Sequence, residues 1–192
     1  MGVSIGLLSS LRGAVLAAGL LGLSSASADE LPAPSMTGHF SLHTVDGKTV
    51  TDASYRGKWM LVYFGYTYCP DVCPTVLNEI GVALNEMGPL AAKVQPIFIT
   101  IDPARDKDPV LKKYLSAFDP RIVGLRGDGE ETEVAAKAFH VYYRPQALGN
   151  GQYTFDHSGY LYLIDPKGHF VSLLTGNLPG HDIAKELRKE MK

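Results

Sequence analysis

Cys69 and Cys73 are the only cysteines in this 192-residue chain, and they stand four residues apart in Tyr68-Cys69-Pro70-Asp71-Val72-Cys73-Pro74. The pair lies between an apolar run and an amphipathic pattern, so it belongs at the C-terminal end of a strand where a helix begins. That rim is where α/β sheets place their chemistry. A helix N-terminus also favours anions, which lowers thiol pKa values and makes the sulfurs reactive or metal-competent. With the pair in one helical turn, residues four apart point the same way. Two convergent soft thiolates suit Cu(I) or Zn(II) and reject hard cations such as Mg(II) or Ca(II). A purely structural disulfide would close so short a loop that it adds only about 2 kcal/mol. On spacing alone, metal binding and thiol redox chemistry stand level.

The elements that must position these sulfurs follow from hydrophobic periodicity. Residues 59–64, Trp-Met-Leu-Val-Tyr-Phe, form a continuous apolar run, the pattern of a strand buried on both faces. Residues 74–87 place Val76, Leu77, Ile80, Ala83, Leu84 and Met87 at helical spacing, with Pro74 in the first turn. A second buried strand is expected over 94–101. A helix over 108–118 follows, with Asp108 as N-cap and Pro109 as its first residue. A short strand over 122–125 and a helix over 130–139 come next. Hairpins are expected around Asp46-Gly47 near the N-terminus and around Asp165-Pro166-Lys167-Gly168, joining strands 160–164 and 170–174. Residues 181–191 form a closing charged helix. The sum is one α/β domain, a mixed central sheet flanked by helices, with an N-terminal β-hairpin and no internal repeat.

Composition excludes several function classes. The chain has 18 Lys+Arg against 20 Asp+Glu, a net charge of −2, which leaves no basic surface for nucleic acid. Its 45% hydrophobic content and scattered glycines and prolines exclude a disordered or low-complexity chain. Arg12 is the only charged residue before Asp29, and residues 13–23 are an apolar run ending near Ala26-Ser27-Ala28. A run of that length fits the core of a signal peptide better than a membrane span of about 20 residues. Residues 1–28 are therefore read as a signal peptide, with an uncleaved anchor as the alternative. Residues 29–38 are read as a flexible leader and 39–192 as the functional domain. The expected location is exported and periplasmic, or anchored and facing the periplasm if the segment is retained.

Three motifs in order carry a family resemblance: residues 63–74 around the cysteines, Thr100-Ile101-Asp102-Pro103-Ala104-Arg105-Asp106, and Asp156-His157-Ser158. Together they make the chain similar to the Sco/SenC family, the copper-handling proteins of cytochrome c oxidase assembly. The resemblance implies a thioredoxin-like fold and a copper site formed by Cys69, Cys73 and His157. It also implies that the site holds Cu(I) and Cu(II) and delivers one copper to the dinuclear site of oxidase subunit II or a related acceptor. Another periplasmic copper donor and a thiol reductant are further partners, and no organic cofactor is needed. The alternative function is a thiol–disulfide oxidoreductase that reduces the acceptor's cysteines, with Cys69 and Cys73 as the redox-active pair. The Cys-x-x-x-Cys spacing departs from the Cys-x-x-Cys of general thioredoxins.

His157 is expected on a Gly-flanked loop leading into strand 160–164, with Asp156 or a backbone carbonyl orienting its ring. His39, His43, His140, His169 and His181 are expected to lack cysteine or carboxylate partners. Residues 102–106 are expected on the same rim, held by an Arg–Asp pair, with partner docking by Arg105 or Asp106 as a second hypothesis. Tyr63, Tyr66, Tyr68, Tyr142 and Tyr143 are read as core and rim packing.

Overall fold

A computed structural model describes residues 36–192. The expected signal peptide, and most of the expected leader, lie outside the described residues. Five strands run through the first half of the fold: β1 (Ser41–Thr44), β2 (Thr49–Thr51), β3 (Trp59–Gly65), β4 (Val94–Thr100) and β5 (Val123–Arg126). Between and after them come α1 (Val72–Met87), α2 (Asp108–Leu115) and α3 (Gly129–Ala138). The second half adds β6 (Tyr143–Gly149), β7 (Gln152–His157), β8 (Tyr160–Ile164), β9 (Phe170–Thr175) and α4 (Gly180–Glu190).

Seven strands form one sheet in the order β2-β1-β5-β4-β3-β8-β9. The β3-β4-β5 centre is parallel, while β1 and β8 join it antiparallel. The apolar run at 59–64 thus becomes the strand with neighbours on both sides, and Met60 through Phe64 are almost fully buried. Its aliphatic and aromatic side chains suit a strand covered on both faces. The apolar stripe of α1 is likewise buried, and α1 packs along α4 through Ile183, Ala184 and Leu187. Gly180 permits that approach, because a Cβ there would lie 2.6 Å from Val82 Cβ. The expected mixed sheet with flanking helices and both hairpins holds.

Two expectations at element ends need correction. Lys107, not Asp108, occupies the N-cap of α2, so Asp108 and Pro109 are its first two residues and Phe118 lies beyond it. Helix α1 begins at Val72, leaving Cys69 on the turn before it.

The larger difference is the β6–β7 hairpin, a separate two-stranded sheet that periodicity did not reveal. Six of the seven β6 residues are exposed, so the strand has no buried face to impose an alternating pattern. Its signal was the turn, where Gly149, Asn150 and Gly151 all take positive φ.

Candidate metal centre

The site begins where β3 runs out. Gly65 is required there, since a Cβ would lie 2.8 Å from Cys73 Sγ and 2.9 Å from the Phe98 ring. The chain then turns, with the Cys69 N–H donating to the Tyr66 carbonyl at 3.2 Å. Cys73 follows in the first turn of α1 and is fully buried, whereas Cys69 is half-buried. The Cys73 N–H donates to Cys69 Sγ at 3.4 Å. The two cysteines therefore do not share a helical turn. They converge because the turn folds Cys69 back over the open N-terminus of α1.

His157 arrives from the far side as the last residue of β7, not on a loop. Its Nε2 lies 3.8 Å from Cys73 Sγ, and its Nδ1 is 3.1 Å from the Ser158 carbonyl oxygen. A carbonyl only accepts, so Nδ1 donates to it, and this contact fixes the ring with Nε2 turned toward the sulfurs. The backbone orients the ring, and Asp156 is exposed. The ligand atoms of Cys69, Cys73 and His157 all lie within 4.8 Å of one another. A hollow of about 290 Å³, lined in part by Cys69, Asp71, Val72 and His157, reaches two of the three ligands, while Cys73 stays buried behind them.

The two thiols have opposite acidities. The Cys69 pKa falls to about 3, chiefly because the Cys73 thiol donates to it; burial opposes this, while His157 and the Cys73 backbone assist. The Cys73 thiol is pushed far up, first by that same hydrogen bond, then by burial and the Cys69 charge. Tyr63 also donates to Cys73 Sγ, at 3.6 Å. Metal-free, the pair is one half-buried thiolate hydrogen-bonded to one buried thiol.

Brief iodoacetamide treatment should therefore alkylate Cys69 and spare Cys73 until the protein unfolds. An ordinary thiol, with a pKa near about 8.5, loses about tenfold in rate per pH unit below it. Cys69 remains thiolate above its lowered pKa, so its rate should change little between pH 8 and pH 5. Peptide mass spectrometry reads the site and the rate, and a tenfold decline per unit would contradict the assignment.

The 100–106 segment supports this centre from beneath. Asp106 is fully buried and accepts from the Thr67 N–H at 3.0 Å, the Thr67 hydroxyl at 2.6 Å and the Thr100 hydroxyl at 2.6 Å. It thereby fastens the cysteine turn to the end of β4 and is not available to a docking partner. Arg105 pairs with Asp102, as the expected Arg–Asp pair required. Tyr63 and Tyr66 are buried, while Tyr68 and Tyr142 are exposed on the rim.

The remaining histidines lie outside the cluster, but four of them do have carboxylate neighbours, contrary to expectation. His39 meets Asp52 at 3.2 Å, His43 meets Glu131 at 3.4 Å, His169 meets Asp165 at 3.1 Å and His181 meets Asp182 at 3.4 Å. Three of these contacts join residues at least four apart, brought together by tertiary structure or a tight turn, so no local motif announced them.

The SCO1/SenC family model matches residues 28–192. The chain belongs to the SCO1/SenC family. Among SCO1/SenC relatives, the Saccharomyces cerevisiae protein SCO1, mitochondrial, is 44% identical over 147 residues, covering 75% of this chain and 50% of that protein. The human SCO1 homolog, mitochondrial, is 38% identical over 162 residues, covering 83% of this chain and 54% of that protein. The chain thus spans about half the length of these relatives. The structure of Bradyrhizobium japonicum ScoI with copper bound matches at a TM-score of 0.75 and 44% identity, covering 80% of this chain and 98% of that one. Arabidopsis thaliana ScoI with copper bound matches at a TM-score of 0.77 and 35% identity, covering 81% and 98%. These likenesses agree with the thioredoxin-like SCO1/SenC fold. Among the described residues, no helix is long and apolar enough to cross a membrane.

Proposed function

We propose that this protein is a copper metallochaperone that binds one copper through Cys69, Cys73 and His157. The delivery target in this reading is the dinuclear copper site of cytochrome c oxidase subunit II or a related acceptor. The observation that carries it is the convergence of two sulfurs and an imidazole nitrogen within 4.8 Å, beside a hollow at the surface. Similar proteins whose structures are described as copper-bound support the same reading.

Two thiolates suffice for Cu(I), and the imidazole nitrogen makes the same site competent for Cu(II). Copper enters beside the Cys69 thiolate, and Cys73 gives up its proton to become the second sulfur ligand. Three ligands leave a coordination position free, through which an acceptor takes the metal by ligand exchange. Residues 1–28 serve as the export signal or anchor, and the domain over 39–192 works in the periplasm. A second copper donor loads it and a thiol reductant keeps the pair reduced.

One observation favours thiol–disulfide exchange as a second reading. A half-buried thiolate beside a buried thiol is the arrangement of an attacking and a resolving cysteine. In that reaction Cys69 attacks an acceptor disulfide, and Cys73 then closes a Cys69–Cys73 disulfide. Two electrons and the Cys73 proton pass to the acceptor's sulfurs, and the second proton its thiols take up comes from water.

Anaerobic titration of the reduced protein with Cu(II) tests the chaperone reading through the thiolate-to-copper charge-transfer band. Thiols are counted afterwards to exclude oxidation by Cu(II). A band saturating at one copper per chain, and lost or greatly weakened in His157→Ala, is the expected result. Absence of the band from the unaltered protein, or indifference to His157→Ala, would move the assignment to the oxidoreductase.

A further inference from the structure

The three ligands come from two bodies that share no strand pairing. Cys69 and Cys73 belong to the main sheet and α1, whereas His157 ends a hairpin whose two strands pair only with each other. The chain runs on from His157 through Ser158 and Gly159 into β8 of the main sheet, but no β-ladder fixes how the hairpin leans toward the sulfurs, so another contact must. The contacts along β7 identify it.

Arg105 lies between the two bodies. Its guanidinium carbon is 3.7 Å from the centroid of the Tyr153 ring on β7, and 4.7 Å and 5.9 Å from those of Tyr68 and Tyr66 on the cysteine turn. Nη1 donates to the Tyr153 carbonyl at 2.8 Å, and Nε is paired with Asp102. The Tyr153 hydroxyl donates to the other Asp102 oxygen at 2.9 Å, closing a ring of contacts over a carboxylate that is 2% exposed. Arg105 Nη2 is buried and has no hydrogen-bond partner. Aromatic faces surround this largely desolvated cation, the setting in which cation–π attraction is strongest.

Next along β7, Tyr66 continues the seam. Its hydroxyl bonds Thr154 Oγ1 at 2.8 Å and accepts the Phe155 N–H at 3.3 Å, and its ring packs edge-on against His157.

We infer that Arg105 is a positioning residue for the metal centre, a clamp that sets the His157 hairpin against the cysteine turn. The role rests on the Cys69, Cys73 and His157 site proposed above and deepens it. A lysine cannot replace Arg105, because only the planar guanidinium stacks on rings while donating in two directions. With the clamp loosened, the two sulfurs keep their own support through Asp106 and α1, and only the imidazole moves away. Cu(II), which needs that nitrogen, should then suffer while Cu(I) does not.

The test uses Arg105→Lys and Tyr153→Leu, which weaken the clamp from opposite sides so that a folding failure in one leaves the other. Metal-free hydrogen exchange should speed up by about tenfold or more at β6–β7 amides, with β3 and β4 unchanged. Cu(II) affinity, read by the charge-transfer band and competition, should fall about 10- to 100-fold, as is usual when a residue supporting a ligand is lost. Cu(I) affinity should stay within about twofold of the unaltered protein, since two thiolates suffice for it. Hairpin exchange no faster than in the unaltered protein would overturn the clamp. So would a Cu(II) affinity that holds steady or falls in step with Cu(I). An unaltered protein that holds no copper would sink the metal reading alone, and the exchange pattern would still decide the clamp.

Discussion

A Cys73→Ser protein is expected to remain folded and to lose stoichiometric binding of both Cu(I) and Cu(II), with affinity lower by at least about a hundredfold. Four thiolate and imidazole ligands hold structural zinc with about 10–16 kcal/mol, or about 3 kcal/mol per ligand, and copper, which such ligands bind at least as strongly, should lose at least as much. Serine fills nearly the same buried space beside Gly65 and can still accept from the Tyr63 hydroxyl. The loss therefore reports ligation and not collapse, and competition with a chromophoric chelator measures it.

The same residue sets the pH dependence. Its thiol pKa is raised by the Cys69 hydrogen bond and by burial, so the metal-free protein keeps that proton at pH 7–8 and copper must displace it. Cys69, with its lowered pKa, has no proton left to give in that range. The two thiols together should thus release one proton per copper. Affinity should then rise about tenfold per pH unit between pH 7 and 8. A hundredfold rise per unit would mean that Cys69 is also protonated.

Asp106→Ala is expected to destabilise the fold by about 3–9 kcal/mol, because it strands three donors at a buried place, at about 1–3 kcal/mol each. The Thr67 N–H, the Thr67 hydroxyl and the Thr100 hydroxyl would all lose their acceptor. In a domain of this size that corresponds to a thermal midpoint lower by at least about 6 °C. Asp106→Asn should cost far less, on the order of 1 kcal/mol.

The reason lies in the Asp106 pKa, which is raised because burial outweighs its hydrogen bonds and Asp102 repels its charge. A carboxyl with a raised folded pKa gives its full stabilisation below its unfolded pKa and loses it as pH rises through the folded value. Ionisation of this carboxyl thus works against folding, and the hydrogen-bond geometry supplies the benefit. Asparagine preserves most of that geometry, since the threonine hydroxyls can rotate to donate or accept. Urea denaturation of both variants checks this, and equal losses would show that the charge itself stabilises the turn.

Most of the sheet was legible because its strands are buried on one or both faces, which writes burial into the order of apolar residues. The run at 59–64 and the stripe of α1 are of this kind, and the two flank the cysteine turn. Element ends were less legible, as at Lys107 and Val72, where a cap depends on backbone angles that several residue types adopt. The β6–β7 hairpin was missed because β6 faces water, and only Gly149-Asn150-Gly151 marked it. The buried contacts of Asp106 were not legible for a related reason. A charged residue in a loop looks solvated until folding closes Thr67 and Thr100 over it.

By itself, then, the sequence determined the fold class, the thiol pair at a strand-to-helix turn, and the three motifs of the SCO1/SenC family. These depend on residue types and short spacings, which local physics reads directly. Only the tertiary structure decided that Cys69 precedes α1, that His157 ends a strand, and which acidity each thiol takes. It alone set Arg105 between the two bodies that bring the ligands together. The turn and the thiol acidities depend on burial and on backbone angles over four residues, and the Arg105 contacts on residues tens of positions apart; packing settles all of them, and none leaves a periodic trace in the chain.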